Sequence, residues 1–274
     1  MTSVVPAAPR SDWAETTRIF RFGTHVLAVT YAEVRKLRHD PLELATRAVQ
    51  PTLWLVVFGK VMAHVRGLQT GNLDYLDFLT PGVLAQSALF ISIFYGIAAI
   101  WERDLGVLQK YLVSPAFRSA LVLGKALSAG VRGLSQAVVV FLLALAMGIA
   151  LNFHLMNVLL VLVLIVIGSA LFATASLIIA CVVKTRERFM GIGQVLTMPL
   201  FFASNAIYPV HLMPGWLQLL ARINPLTYQV DALRALMIAR GSSSFGLAMD
   251  FLVLLGVFVG LVGVAAEMYP RMVT

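Results

Sequence analysis

Few residues in this chain could support phosphate chemistry, and their spacing does not match that of a phosphate-binding loop. Gly124 is followed by Lys125, but the earlier glycine and the Ser or Thr that complete a phosphate-binding loop are missing. Gly191 and Gly193 follow no predicted strand, so they do not suit a nucleotide-binding turn either. We therefore expect the chain not to be an enzyme and to lack an ATPase site of its own.

The residues that could hold a metal are equally scattered. No two histidines are four residues apart on one predicted helix, and the single cysteine, Cys181, lies inside an apolar run. The five histidines are His25, His39, His64, His154 and His211. We expect no metal, no catalytic residue and no bound cofactor.

Ionisable side chains in the middle of a membrane would indicate a proton-coupled carrier, because a charge there is costly and is retained for function. Lys60, Asp250 and Glu267 instead lie near the ends of apolar runs, where their side chains can reach the interface. An ion-coupled secondary carrier is therefore the weaker alternative.

A charged and leucine-rich stretch, ERDLGVLQKYLVSPAFR, runs from Glu102 to Arg118 between two apolar runs. Charge at Glu102 to Asp104 opens it, leucines recur at helical spacing, and Pro115 stops the helix. The leucines are Leu105, Leu108 and Leu112. The pattern predicts a short amphipathic helix that could dock into a groove on a partner.

A second helix is predicted in INPLTYQVDALRALMIARG, residues Ile223 to Gly241. Asn224 is a favourable N-cap, and Pro225 suits the first helical position. Asp231 and Arg234 are spaced to pair on the edge of an apolar stripe. A shorter helix is predicted from Met213 to Ala221, so the two form a helical hairpin in one leaflet.

The amino-acid composition indicates the environment in which these helices lie. The chain has 274 residues, of which 59% are hydrophobic and only 12% charged, and its mean hydropathy is +0.87. A water-soluble domain of this size could not keep that balance, so the solvent is lipid. The net charge of +8 is dispersed between apolar runs and forms no basic patch, which argues against nucleic-acid binding.

The apolar runs predict six transmembrane helices, each near the length of roughly 20 residues that a bilayer requires. They are Ala48 to His64, Phe78 to Trp101, Ser119 to Leu151, Leu155 to Val183, Met190 to Tyr208 and Phe245 to Met268. The third run is long and carries Lys125 and Arg132 early, which predicts a helix that projects into the cytoplasm before it enters lipid.

The distribution of Lys and Arg predicts that both termini are cytoplasmic. One connection strains this rule, because residues 209–244 should be outside yet carry Arg222, Arg234 and Arg240. Before the first span, Ile19, Phe22, Val26 and Val29 recur at helical spacing and predict an amphipathic helix at the interface. We expect one transmembrane domain, with cytoplasmic tails at 1–47 and 269–274 and a six-helix membrane part at 48–268.

Together, the loop from Glu102 to Arg118 and the stretch NPLTYQVDALR resemble the type 2 ABC exporter permeases, particularly the daunorubicin-resistance and nodulation-factor export type. The resemblance implies an all-α integral membrane protein with a cytoplasmic coupling helix and an outer re-entrant hairpin between the fifth and sixth spans. It implies that Glu102, Arg103, Leu105, Leu108 and Tyr111 contact the ATPase. It also implies an outer hairpin built on Asn224, Pro225, Tyr228, Asp231 and Arg234.

The resemblance further implies two ATP-binding subunits, which bind ATP and Mg, and a second permease subunit in the cell membrane. The expected function is export of an amphiphilic drug, lipid or glycolipid. A polysaccharide exporter would share this architecture. A non-transporting scaffold or sensor would explain the docking loop and the hairpin less well.

Overall fold

A computed structural model describes residues 22–31, 35, 41–64, 73–107, 118–183 and 185–269. These residues form helices joined by turns, apart from one isolated antiparallel bridge between Leu151 and Ile238. The all-α prediction is confirmed for this part of the chain.

The helices after the segment 22–31 are numbered in chain order. They are α1 (Pro41–Thr52), α2 (Lys60–Ala63), α3 (Tyr75–Phe94), α4 (Gly96–Asp104), α5 (Arg118–Ala146), α6 (Leu155–Val182), α7 (Arg186–Phe202), α8 (Gly215–Ile223), α9 (Pro225–Met237) and α10 (Leu247–Met268). A π-helical stretch, Leu53–Gly59, joins α1 to α2 just after Pro51, whose missing N–H interrupts the regular α-helical ladder.

Within the described residues, four helical segments are long and apolar enough to cross a membrane. They are Tyr75–Asp104, which comprises α3 and α4, Ser119–Ala146, Leu155–Val182 and Leu247–Met268. They coincide with the second, third, fourth and sixth predicted spans. The third ends earlier than predicted, because Gly148 adopts φ +74° and the chain turns.

Helix α6 lies at the centre of the bundle and packs against α3, α5, α9 and α10. Lipid is as apolar as leucine, so close helix contact depends on small residues rather than on the hydrophobic effect. A Cβ added at Gly130 would meet Val166, one at Gly133 would overlap Ser169, and one at Gly168 would overlap Gln229. These glycines let α5 and α9 approach α6.

The outward faces are apolar, as a lipid environment requires. Helix α10 buries few of its residues, and Leu252, Leu255 and Val259 are exposed along it. Leu164, Ile165 and Leu233 are fully buried in the core between α6 and α9. The bundle has two ends, which we call the Glu102 end, where α4 finishes, and the hairpin end, where α8 and α9 lie.

Candidate coupling turn and helical hairpin

The charged triplet from Glu102 to Asp104 closes α4 instead of opening a new helix. Leu105 N donates to Trp101 O at 3.0 Å, and Gly106 N donates to Arg103 O at 3.0 Å. Gly106 then reverses the chain with φ +68°, a conformation that glycine adopts at helix C-termini without steric cost. The predicted start of the docking helix at Glu102 was therefore wrong. Leu108 and Tyr111 lie outside the described residues.

Glu102 itself faces the interior of the bundle. Lys125 Nζ on α5 donates to Glu102 Oε2 at 2.5 Å, and both side chains are less than 10% exposed. Nearby, the guanidinium of Arg132 lies 5.1 Å from the centre of the Tyr95 ring. The early basic residues of α5 thus face protein partners, and the projection of this helix into the cytoplasm stays a prediction. A buried charge is tolerated here because its counter-charge is in direct contact.

The exposed part of this region is a mixed charged and apolar surface. Asp104 accepts from Arg103 at 3.0 Å and from Arg186 on α7 at 2.9 Å. The Arg186 guanidinium lies 3.7 Å from the centre of the Trp101 ring. Leu105 projects beside them with 69% of its surface exposed. We call Trp101, Arg103, Asp104, Leu105 and Arg186 the coupling turn.

The segment 22–31 is helical and packs on α5 near this end. A Cβ at Gly124 would meet the side chain of Val29, so only glycine allows this approach. Thr30 Oγ1 donates to Gly124 O at 3.2 Å, and Val26 is buried in the contact. Val26 and Val29 therefore face α5, whereas the prediction placed this apolar stripe at the membrane interface. Ile19 lies outside the described residues.

At the opposite end, the predicted start of α9 is confirmed. Leu226 N donates to Asn224 Oδ1 at 3.0 Å, and Pro225 occupies the first helical position. Asn224 Nδ2 also donates to Leu200 O at 2.6 Å, which ties the cap to α7. Tyr228 OH donates to Arg222 O at 2.7 Å, so α8 is held against the first turn of α9.

Asp231 is fully buried, whereas the sequence placed it on the edge of an apolar stripe. Its Oδ2 accepts from Ser244 N at 2.6 Å, from Phe245 N at 3.1 Å and from Ser243 Oγ at 2.9 Å. Asn205 Nδ2 donates to the other carboxylate oxygen at 3.3 Å. The carboxylate thus fixes the loop that leads into α10.

Arg234 is bound mainly by other elements. Its guanidinium donates to Asn205 O at 2.7 Å and lies 3.8 Å from the centre of the Phe78 ring on α3. The nearest approach to Asp231 is 4.0 Å, the limit of an ion pair. The predicted pair of Asp231 and Arg234 therefore forms only at this limit, and the fold gives each residue closer partners.

Asp250 also departs from its prediction. Instead of reaching the interface, it is fully buried at the start of α10, and Ser243 Oγ lies 2.9 Å from its carboxylate. The same hydroxyl contacts Asp231, so Ser243 links the 241–246 loop to the carboxylates of both α9 and α10. Lys60 and Glu267 are exposed near the ends of their helices, as predicted.

Comparison with known proteins identifies the family. The model of the ABC-2 type transporter family matches residues 24–238. The chain belongs to this family.

Several relatives are similar in sequence to this chain over most of their length. The ycf38 transport permease of Cyanophora paradoxa is 31% identical over 206 residues, which cover 73% of this chain and 70% of the relative. The daunorubicin resistance permease DrrB1 of Streptomyces coeruleorubidus is 28% identical over 239 residues, 86% of this chain and 81% of the relative. Nodulation protein J of Rhizobium meliloti is 26% identical over 177 residues, 63% and 66% of the two chains.

Membership in the ABC-2 type family makes this chain the membrane permease subunit of an ABC transporter, with ATP bound by a partner subunit. The described residues contain no cluster of three or more His, Cys, Asp or Glu side chains that could hold a metal. The two ends described above are the candidate functional parts of this chain.

Proposed function

We propose that the chain is the permease subunit of an ATP-driven exporter, which moves an amphiphilic substrate out of the cytoplasm across the cell membrane. Two copies, or this chain and a related permease, pair with two ATP-binding subunits. ATP binding draws those subunits together and shifts the balance between two packings of the spans. The drug-resistance relative supports an amphiphilic substrate and the outward direction.

The observation that carries this proposal is the coupling turn. Leu105 is exposed beside an ion-paired cluster in which Asp104 joins α4 to α7 through Arg186. An exposed apolar side chain next to fixed charges suits a docking contact with a protein partner. Behind it, the buried pair of Glu102 and Lys125 makes the end of α4 rigid with α5. A push on this turn would therefore move two spans together.

We propose six crossings with the Glu102 end in the cytoplasm. The first crossing is the continuous helix through α1, the π-helical stretch and α2, whose apolar part is Ala48–Ala63. The fifth crossing is α7, which has 17 residues and is followed by the buried residues 204–207. Each is close to the lower limit of about 17 residues for a transmembrane helix. The whole chain then forms one permease domain with its hairpin outside.

Topology can be tested with single cysteines in a chain whose Cys181 has been replaced. Cysteine at Ser242, which is exposed in the loop before α10, should react with an impermeant maleimide on intact cells. Cysteine at Glu187, exposed at the start of α7, is the matched control and should react only after lysis. The reverse pattern would contradict the proposed orientation, and labelling of both sites from the same side would contradict six crossings.

Replacing Leu105 and Leu108 with Asp should abolish coupling, because charge enters an apolar docking contact that cannot satisfy it. We expect substrate-stimulated ATPase activity and efflux, measured in vesicles that contain both subunits, to fall by about tenfold or more, since an unpaired buried polar group costs about 1–3 kcal/mol and a charged one more, and about 1.4 kcal/mol is tenfold. Amounts of folded permease should not change.

The control for this variant is Leu155→Asp. Leu155 has 72% of its surface exposed, close to that of Leu105, but it lies at the hairpin end. It should leave ATPase stimulation unchanged. Equal activity in the Leu105 and Leu108 variant and the wild type would exclude the docking role.

A further inference from the structure

A cavity of about 570 Å³ opens at the hairpin end, between the hairpin, the start of α3 and the loop before α10. Its polar wall includes all three arginines that depart from the charge rule for an outside connection. They are Arg222 on α8, Arg234 on α9 and Arg240 in the turn after α9. His211 and Gln218 also line the cavity. The fold therefore gathers into one place charges that are dispersed in the sequence.

Two of these arginines carry uncompensated charge. Arg222 and Arg240 are exposed and form no ion pair with any residue that the structure describes. Arg234 is different, because Asp231 lies 4.0 Å away and its guanidinium is fixed by Asn205 O. The cavity thus has a rigid guanidinium in its wall and two available ones at its edge.

The position of Arg240 depends on a close turn. Gly241 N donates to Ile238 O at 3.0 Å, and a Cβ at Gly241 would overlap the carbonyl oxygen of Arg234. Ala239 N donates to Ala150 O at 2.9 Å, beside the bridge from Leu151 to Ile238. The backbone that presents Arg240 is therefore tied to the α5–α6 connection.

Helix α8 separates the cavity from the lipid. Its apolar stripe is exposed along the outer face, and Gln218 and Arg222, four residues apart, lie on the opposite face and line the cavity. The stripe is Trp216, Leu219, Leu220 and Ile223. A helix with this pattern lies in the membrane interface, with its exposed stripe among acyl chains. The cavity is therefore at headgroup depth and opens next to a lipid surface.

We propose that this cavity binds the anionic headgroup, a phosphate or carboxylate, of an amphiphile whose tail remains in the outer leaflet. Arg222 and Arg240 bind the anion, because guanidinium groups donate paired hydrogen bonds to such oxygens. Phe78, Val210 and Phe245 supply apolar wall beside it. The assignment to the outer leaflet rests on the proposed topology, whereas recognition of the anion does not.

The test measures binding of a fluorescent phosphatidic acid to the full-length permease in phosphatidylcholine nanodiscs, without ATP or the ATP-binding subunit. Changing Arg222 and Arg240 to Gln should weaken binding by about tenfold or more, since it removes both positive charges and the paired hydrogen bonds that hold the anion. Changing both to Lys keeps the charge but not the paired hydrogen bonds, so this variant should bind more tightly than the Gln variant and less tightly than the wild type. The matched control is Arg188→Gln, an exposed arginine at the Glu102 end, which should bind as wild type does.

Competitors distinguish a lipid headgroup from a free anion. Millimolar inorganic phosphate should not displace the probe, but unlabelled phosphatidic acid should. Displacement by phosphate, or equal binding by the Gln variant and the wild type, would overturn the proposal. The binding assay contains neither ATP nor the ATP-binding subunit, so its result does not depend on coupling. A failure of the headgroup proposal can therefore be distinguished from a failure of the proposed docking role of Leu105.

Discussion

Replacing Lys125 with Met is expected to destabilise the folded permease by about 3–5 kcal/mol, because it leaves the carboxylate of Glu102 buried without its counter-charge. The two side chains are in direct contact at 2.5 Å, and both are shielded from solvent. The measurement is the thermal unfolding of the purified variant in detergent. Lys60→Met removes an exposed lysine from α2 and should unfold as wild type does.

The double change Glu102→Gln with Lys125→Met separates charge from packing. It removes both charges, so much of the lost stability should return. A single variant as stable as wild type would show that the pair is not buried as described. A double variant no better than the single one would show that packing of the Lys125 chain, and not charge compensation, is what matters.

Replacing Asp231 with Asn should release the loop before α10. The amide keeps only one acceptor oxygen, so its NH2 group must face either Ser244 N and Phe245 N or Asn205 Nδ2, all of which are donors. Each unsatisfied buried group costs about 1–3 kcal/mol. We expect a lower unfolding temperature and faster proteolysis within 241–246. Glu187→Gln, at an exposed carboxylate, is the control.

The charge swap Asp231→Arg with Arg234→Asp should not rescue this loss. An arginine at 231 would meet backbone N–H donors, and an aspartate at 234 would face Asn205 O, which is itself an acceptor. Recovery of stability in the swapped protein would mean that the two charges act mainly on each other. That result would contradict the partners described here.

Local features were predictable because their causes are local. The N-cap at Asn224 and the proline after it need only adjacent residues, so the start of α9 was correctly predicted. The four long apolar segments were found for the same reason, since length and hydropathy suffice. The start of the docking helix was wrong, because charges at Glu102 to Asp104 suit either end of a helix and Gly106 decides which.

Partners distant in sequence could not be predicted. Glu102 and Lys125 lie on different helices, and Arg186 is 82 residues away from Asp104 in the sequence. The spacing of these residues does not indicate that the Ser243 hydroxyl contacts the carboxylates of both Asp231 and Asp250. The charge exception at Arg222 and Arg240 was visible in the sequence, but its cause was not. Only the fold shows that these arginines share a cavity.

The energy source of transport tests the central claim most directly. Inside-out vesicles that contain this chain and its ATP-binding subunit should accumulate an amphiphilic dye when MgATP is added, and a proton ionophore should not prevent it. Vesicles with either subunit alone should not accumulate the dye. Uptake that persists without the ATP-binding subunit and stops when the proton gradient is dissipated would contradict the account.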